Sequence, residues 1–167
     1  KKEMKIMVTG DRGYIGAVLV PMLKQQSYEV IGFDSGYFAE NLLEEFDDIY
    51  PKITKDLRDI QIEDLSGVDG IVHLAGLSND PLGEFSPKLT EKINYAATIR
   101  LAKLAQKAGV SRFVYASSQS MYGISDTGAE LDEDDSDKNP ITAYAVAKWD
   151  AEQQLHKMSS KNFVVTS

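Results

Sequence analysis

The chain predicts a doubly wound α/β fold, a parallel sheet held between helices in three layers. Three observations predict it. Short apolar runs alternate with stretches of helical period along nearly all 167 residues. A glycine-rich turn, Gly10-Asp11-Arg12-Gly13-Tyr14-Ile15-Gly16, joins the first run to the first helix. No internal repeat or Pro/Gly/Ser-rich linker divides the chain. Strands that alternate with helices form parallel sheets through right-handed crossovers, and the helices then cover both faces.

Lys5-Ile6-Met7-Val8-Thr9 is the first strand, ended by Gly10. Helical spacing follows in Ile15, Val18, Leu19, Met22 and Leu23, with Pro21 inside the helix, where it bends the helix or removes a hydrogen bond. Glu29-Val30-Ile31-Gly32-Phe33 is the second strand, ending at Asp34. The acidic segment 37–50 reads as a short helix plus loop. Lys52-Ile53-Thr54-Lys55 is a weak third strand, and Gly70-Ile71-Val72-His73-Leu74 a fourth, stopped by Ala75-Gly76. A long helix runs from Pro87 to Ala108, with Ile93, Ala97, Leu101, Leu104, Ala105 and Ala108 near a 3.6 period and Gly109 as terminator. Arg112-Phe113-Val114-Tyr115-Ala116 is the fifth strand. Residues 123–140 form a polar loop whose Glu130, Asp132, Glu133, Asp134, Asp135 and Asp137 suit solvent better than a metal. Helix resumes over 141–158, and Asn162-Phe163-Val164-Val165-Thr166 begins a sixth strand.

The length suits one domain, 1–167, with a real core. Apolar residues make up 43% and charged ones 26%, a globular balance. A net charge of −8 argues against a general nucleic-acid binder, which needs a basic face. With no Cys, disulfides and thiolate metal sites are excluded. No apolar run approaches the roughly 20 residues of a membrane span, and no signal-peptide pattern opens the chain. A cytoplasmic protein is the expectation, with no membrane or nucleic-acid partner and no metal.

Chemistry is concentrated in three places. In the spacing G-x-x-G-x-x-G of Gly10, Gly13 and Gly16, one glycine makes a tight turn, one lets backbone approach a pyrophosphate, and one permits close helix–strand packing. Free N–H groups at the helix start, Tyr14 and Ile15 among them, suit phosphates. Asp34 ends the second strand at the spacing of an acid that binds ribose hydroxyls. An acid there disfavours a 2′-phosphate, whereas Arg12 in the loop would favour one. NAD is therefore expected ahead of NADP. Lastly, Tyr144 and Lys148 are four apart on a helix and share a face. A fixed ammonium beside a phenol stabilises the phenolate and draws its pKa down from about 10 towards a useful range.

With Thr9-Gly10-x-x-Gly13-Tyr14-Ile15-Gly16, Asp34, Asp56-Leu57-Arg58-Asp59, His73-Leu74-Ala75-Gly76, Asn94, Ser117-Ser118-Gln119-Ser120-Met121-Tyr122-Gly123 and Tyr144-x-x-x-Lys148 in view, the chain resembles the extended short-chain dehydrogenase/reductase family. More narrowly it resembles the NAD-dependent epimerase/dehydratase group that acts on nucleotide sugars, over residues 5–166. The resemblance implies a Rossmann-like fold and residue roles. Asp56 and the Leu57 backbone would bind adenine. Leu74, Ala75 and Gly76 would line the middle of the cofactor, and Asn94 would fix the active-site backbone beside it. Ser118, Tyr144 and Lys148 would be catalytic, with Tyr144 the base and Lys148 on the nicotinamide ribose. Ser78, Asn79 and Ser118 would face the nucleotide-sugar substrate. Residue type alone also fits plainer roles: Asp56 as a turn cap, Asn94 as an ordinary helix Asn, Ser118 as a strand-end cap, and His73 as packing.

Two departures qualify the resemblance. Dehydratase members carry a Glu, often preceded by Asp, just after the catalytic hydroxyl residue. Here Gln119-Ser120 follows Ser118, and neither is the carboxylate that water elimination needs. Epimerases and keto-reductases acting at C4 are therefore expected over 4,6-dehydratases and decarboxylases of that type. Family members also continue past the sixth strand into a C-terminal substrate domain, absent here, so a truncated chain that is poorly active alone is expected. Alternatives are an NAD(P)-binding sensor module that has lost catalysis, or a dehydrogenase of a non-sugar alcohol. The resemblance further implies a homodimer through helices 87–108 and 141–158, where Ala96, Ala97, Ala102 and Ala105 would allow close approach, although the same alanines suit packing on the sheet.

Overall fold

The computed structural model describes residues 3–38, 50–124, 131, 132, 134 and 136–167. Most of the acidic segment predicted at 37–50 lies outside the described residues, as do Glu130, Glu133 and Asp135 of the acidic loop.

The elements run β1 (Lys5–Thr9), α1 (Tyr14–Gln25), β2 (Glu29–Asp34), β3 (Lys52–Thr54), β4 (Gly70–His73), α2 (Asp80–Phe85), α3 (Pro87–Thr90), a π-helical stretch (Glu91–Ala97), α4 (Thr98–Ala108), β5 (Arg112–Tyr115), α5 (Ala143–Met158) and β6 (Val164–Thr166). Short 3₁₀ turns lie at Leu57–Asp59, Ile62–Leu65 and Gln119–Tyr122. The six strands form one sheet in the order β3-β2-β1-β4-β5-β6. Every pair is parallel, with Val8 of β1 opposite Gly32 of β2 and Val72 of β4.

Strand side chains alternate between faces, and each face has its own core. Ile6, Val8 and Val30 pack under Val20 of α1, with Leu19 and Leu23 beside it. Met7, Phe33, Ile71 and Phe113 face the other way, onto Leu101, Ala102 and Ala105 of α4 and Ala151 and Leu155 of α5. Burial on both faces explains why β1 reads as a continuous apolar run. Each large side chain so buried contributes roughly 1.5–3 kcal/mol.

Three sequence expectations change in detail. The helical spacing in α1 is correct, yet Ile15, Val18 and Met22 are 58%, 60% and 57% exposed. The helix instead buries Gly16 and Val20, because it approaches the sheet through its glycine: a Cβ on Gly16 would stand 2.3 Å from the Gly10 carbonyl oxygen. Pro21 lies within the helix, as read. The single helix expected over 87–108 is divided by the wider turn at Glu91–Ala97, and α2 precedes it unannounced. Ala97, Ala102 and Ala105 are buried in the chain's own core, so of the alanines proposed for a dimer face only Ala96 is exposed.

Candidate active site

The strand order reverses between β1 and β4, so the loops leaving their carboxyl ends diverge and open a crevice. Gly10 lies there with φ 73°, and a Cβ on it would stand 2.8 Å from the Ala75 nitrogen. The glycine turn therefore lies directly against Leu74-Ala75. α1 starts at Gly13 with no side-chain cap and no acid in its first turn. Its first amides and partial positive charge suit an anion.

Around the neighbouring end of β2, Asp34 Oδ1 accepts from the Gly36 N–H at 2.8 Å. Arg12 Nη2 reaches Thr54 Oγ1 at 3.5 Å, across the same corner. Asp56 accepts from the Arg58 backbone N–H at 2.8 Å, from Arg58 Nε at 2.9 Å and from Tyr37 Oη at 3.0 Å. That is the turn-cap geometry open to it by residue type, and hydrogen bonds from Arg58 hold its carboxyl well below the usual range, at about 2. Leu57, next to it, is buried.

Asn94 occupies the π-helical stretch and is 2% exposed. Its amide accepts from the Leu77 N–H at 2.8 Å and donates to the Leu77 carbonyl at 3.0 Å, fixing the backbone just past Gly76. A Cβ on Gly76 would stand 2.9 Å from Asn94 Oδ1. Beneath lies His73, 1% exposed. Thr98 Oγ1 donates to the Asn94 carbonyl at 2.9 Å, so at 2.8 Å it accepts from His73 Nε2–H. His73 Nδ1 then accepts from the Thr9 hydroxyl at 2.6 Å, and Thr9 Oγ1 accepts from the Ala75 N–H at 3.3 Å. Burial, with the Lys148 charge adding to it, pushes the imidazole down to about 3 and keeps it neutral. His73 is a structural tie, in line with its reading as packing.

Ser118 caps the Gln119–Tyr122 turn, its Oγ accepting from the Ser120 N–H at 3.2 Å. The neighbouring Ser117 hydroxyl donates to Glu152 of α5. α5 begins at Thr142, whose Oγ1 accepts from the Ala145 N–H at 3.1 Å. Tyr144 is 8% and Lys148 7% exposed. Lys148 Nζ lies 6.0 Å from the Tyr144 ring centre and 4.8 Å from that of Tyr115, and donates to the Ala116 carbonyl at 2.8 Å. Burial lowers the ammonium from 10.5 to about 8. Burial also raises the Tyr115 phenol above its ordinary value, with the Tyr144 and Glu152 charges adding to it, so Tyr115 stays protonated and unsuited to be a base. The structure thus joins the end of β5 to α5 through Lys148 and Glu152.

Ser78 and Asn79 are exposed on the loop before α2, and Asn79 caps that helix by accepting from the Leu82 N–H at 3.0 Å. A cleft of about 590 Å³ opens nearby, lined by Asp80, Gln119, Ser120, Tyr122, Ile141 and Thr142 among others. Sequence reasoning missed the Ala116 carbonyl, because a backbone acceptor has no sequence signal, and Thr9 and Thr98, whose roles depend on where His73 points.

A family model described as the NAD dependent epimerase/dehydratase family matches residues 6–167. The chain belongs to that family. It is 33% identical over 163 residues to the UDP-glucose 4-epimerase of Mycolicibacterium smegmatis, covering 92% of this chain and 50% of that enzyme. Its fold is similar to that of MoeE5 in complex with UDP-glucose and NAD, with a TM-score of 0.81 and 28% identity over 97% of this chain and 52% of that one. It is also similar to DesIV, the dTDP-glucose 4,6-dehydratase of Streptomyces venezuelae, with NAD and TYD bound, at a TM-score of 0.82 and 29% identity over 97% and 54%. This epimerase/dehydratase chain spans about half the length of the curated relatives it matches. Among the described residues no helix is long and apolar enough to cross a membrane. The family's dinucleotide fits the residues present: the start of α1 is uncapped and acid-free, and no side chain at Gly13 covers it.

Proposed function

We propose that the whole protein is an NAD-dependent nucleotide-sugar epimerase or related keto-sugar oxidoreductase, and that this chain carries its cofactor half and catalytic side chains. The observation that carries the reading is the burial of Tyr144 and Lys148 together on α5, with Lys148 tied to the end of β5 at the carboxyl edge of the sheet. The named relatives, which act on or bind nucleotide sugars, support the substrate class.

In this reading the amides of Tyr14, Ile15 and Gly16 hold the pyrophosphate, with Gly10 and Gly13 keeping the approach clear. Asp34 takes the adenosine ribose hydroxyls, Asp56 and the Leu57 backbone meet adenine, and Leu74, Ala75 and Gly76 line the middle, their path fixed by Asn94. NAD, when bound, accepts and returns hydride at the sugar carbon. Tyr144 takes the proton of the sugar hydroxyl. Lys148 favours the phenolate and meets the nicotinamide ribose. Ser118 turns its hydroxyl from the Ser120 amide to the substrate oxygen, while Ser78 and Asn79 face the sugar or its diphosphate. Gln119 and Ser120 supply no carboxylate for elimination, which favours epimerisation or reduction. The chain alone binds cofactor weakly and turns over little substrate, and a homodimer through the helical segments 87–108 and 141–158 remains part of the proposal.

The test is titration of the whole protein with NAD and NADP, followed by a nucleotide-sugar panel. Tighter binding of NAD and interconversion of a UDP-hexose pair are expected. Preference for NADP, or turnover of none of the sugars, contradicts the reading.

A further inference from the structure

α2 grips the start of α5 at three points. Asp80 Oδ1 accepts from the hydroxyl of Thr142, the residue that caps α5. Glu84, four residues on and so on the same face, accepts from the Ala143 N–H at 2.6 Å. Between them lies Gly83, buried, where a Cβ would stand 2.9 Å from Tyr144 Cβ and 3.3 Å from its nitrogen. Thr90 Oγ1 donates to the Gly83 carbonyl at 2.8 Å and holds α2 from behind. A helix start needs acceptors for its unpaired amides and favours negative charge. The first turn of α5 has no acid of its own, so α2 supplies both.

We infer that α2 is a clamp for Tyr144, with Asp80, Gly83 and Glu84 as positioning residues. The inference rests on the proposed role of Tyr144 in proton transfer. Asp80 and Thr142 both line the cleft, so the clamp is also its wall. Asn79, the residue that caps α2, belongs to the exposed pair proposed to meet substrate. A sugar nucleotide that draws on Ser78 and Asn79 therefore pulls on α2, and through Gly83 and Glu84 seats the tyrosine. A phenol misplaced by even 1 Å loses much of its rate advantage, because proton transfer depends steeply on alignment.

The experiment compares Gly83→Ala, Glu84→Ala and Glu84→Gln in the whole protein, with Tyr144→Phe in parallel. Gly83→Ala and Glu84→Ala are expected to lower kcat about tenfold or more while NAD affinity stays within about twofold. Glu84→Gln keeps a side-chain oxygen for the Ala143 amide and restores most of the rate. Where no substrate is turned over, the Tyr144 ring resonances decide, assigned by NMR from the signals lost in each protein's Tyr144→Phe counterpart. They shift in Gly83→Ala and Glu84→Ala and return in Glu84→Gln. Should Gly83→Ala fail to fold, the two Glu84 variants decide. Unchanged kcat and ring resonances in the folded variants, or Glu84→Gln as impaired as Glu84→Ala, would overturn the clamp. Full activity in Tyr144→Phe would instead overturn the reading on which it rests.

Discussion

The Lys148 ammonium donates to the Ala116 carbonyl across 2.8 Å, in a site where the lysine is 7% exposed. Burial holds its folded pKa at about 8 against 10.5 for a free lysine. Below about pH 8 both states carry the charge, which is desolvated in the folded protein and hydrated in the unfolded chain. Between about 8 and 10.5 the unfolded chain binds more protons, so this group's contribution to stability rises with pH. The penalty at neutral pH is roughly 3 kcal/mol, at or above the roughly 1.5–3 kcal/mol of a hydrogen bond made by a charged group. Lys148→Met is expected to be more stable than the parent at pH 7, with the advantage shrinking towards pH 10. Urea unfolding at both values checks it, and a less stable variant at pH 7 contradicts it.

Gly16→Ala places a methyl 2.3 Å from the Gly10 carbonyl oxygen and 2.7 Å from Asp11 Cα, both backbone atoms that do not yield easily. A loss of roughly 1–3 kcal/mol in stability is expected, with NAD affinity down about tenfold or more as the turn shifts. Calorimetric NAD binding within twofold of the parent would contradict the placement of the cofactor on this turn.

Asn94→Ala leaves both backbone groups of Leu77 without their partners. Each part-buried polar group so stranded costs up to roughly 1–3 kcal/mol. Asn94→Asp keeps the acceptor for the Leu77 N–H and loses the donor to its carbonyl, so it falls between. Thermal unfolding should rank the parent above Asn94→Asp and Asn94→Asp above Asn94→Ala.

His73 is held neutral, with its folded pKa near 3 against 6.5 unfolded. Between these values the unfolded chain binds more protons, so stability from this group falls as pH drops from about 6.5 towards 3. Nitrogen-15 NMR is expected to find the Nε2–H tautomer from pH 5 to 8. A charged or Nδ1–H imidazole would undo the Thr9-His73-Thr98 network.

The strands, the glycine turn and α5 were legible because each rests on a short-range signal: apolar runs, three glycines at fixed spacing, and a Tyr and Lys one turn apart. Hydrophobic spacing located α1 but misjudged its buried side. A glycine contact set its orientation, and Gly16 has no side chain to register in a periodic pattern. The break at Glu91–Ala97 escaped notice because a π turn keeps the same residue types and changes only the hydrogen-bond ladder. α2 escaped because Asp80-Pro81-Leu82-Gly83-Glu84-Phe85 is short and contains both Pro and Gly, which read as loop. Asp56 and Ser118 adopt the cap geometries that residue type allowed, and chain direction alone gave no way to see which partners they would meet.

Tyr144→Phe, assayed in the whole protein for nucleotide-sugar turnover and NAD binding together, tests the proton-transfer role of Tyr144. Turnover is expected to fall at least about a hundredfold, within the range of general acid–base catalysis, while NAD affinity stays within about twofold. Turnover equal to the parent, or loss of NAD binding in step with activity, would contradict it.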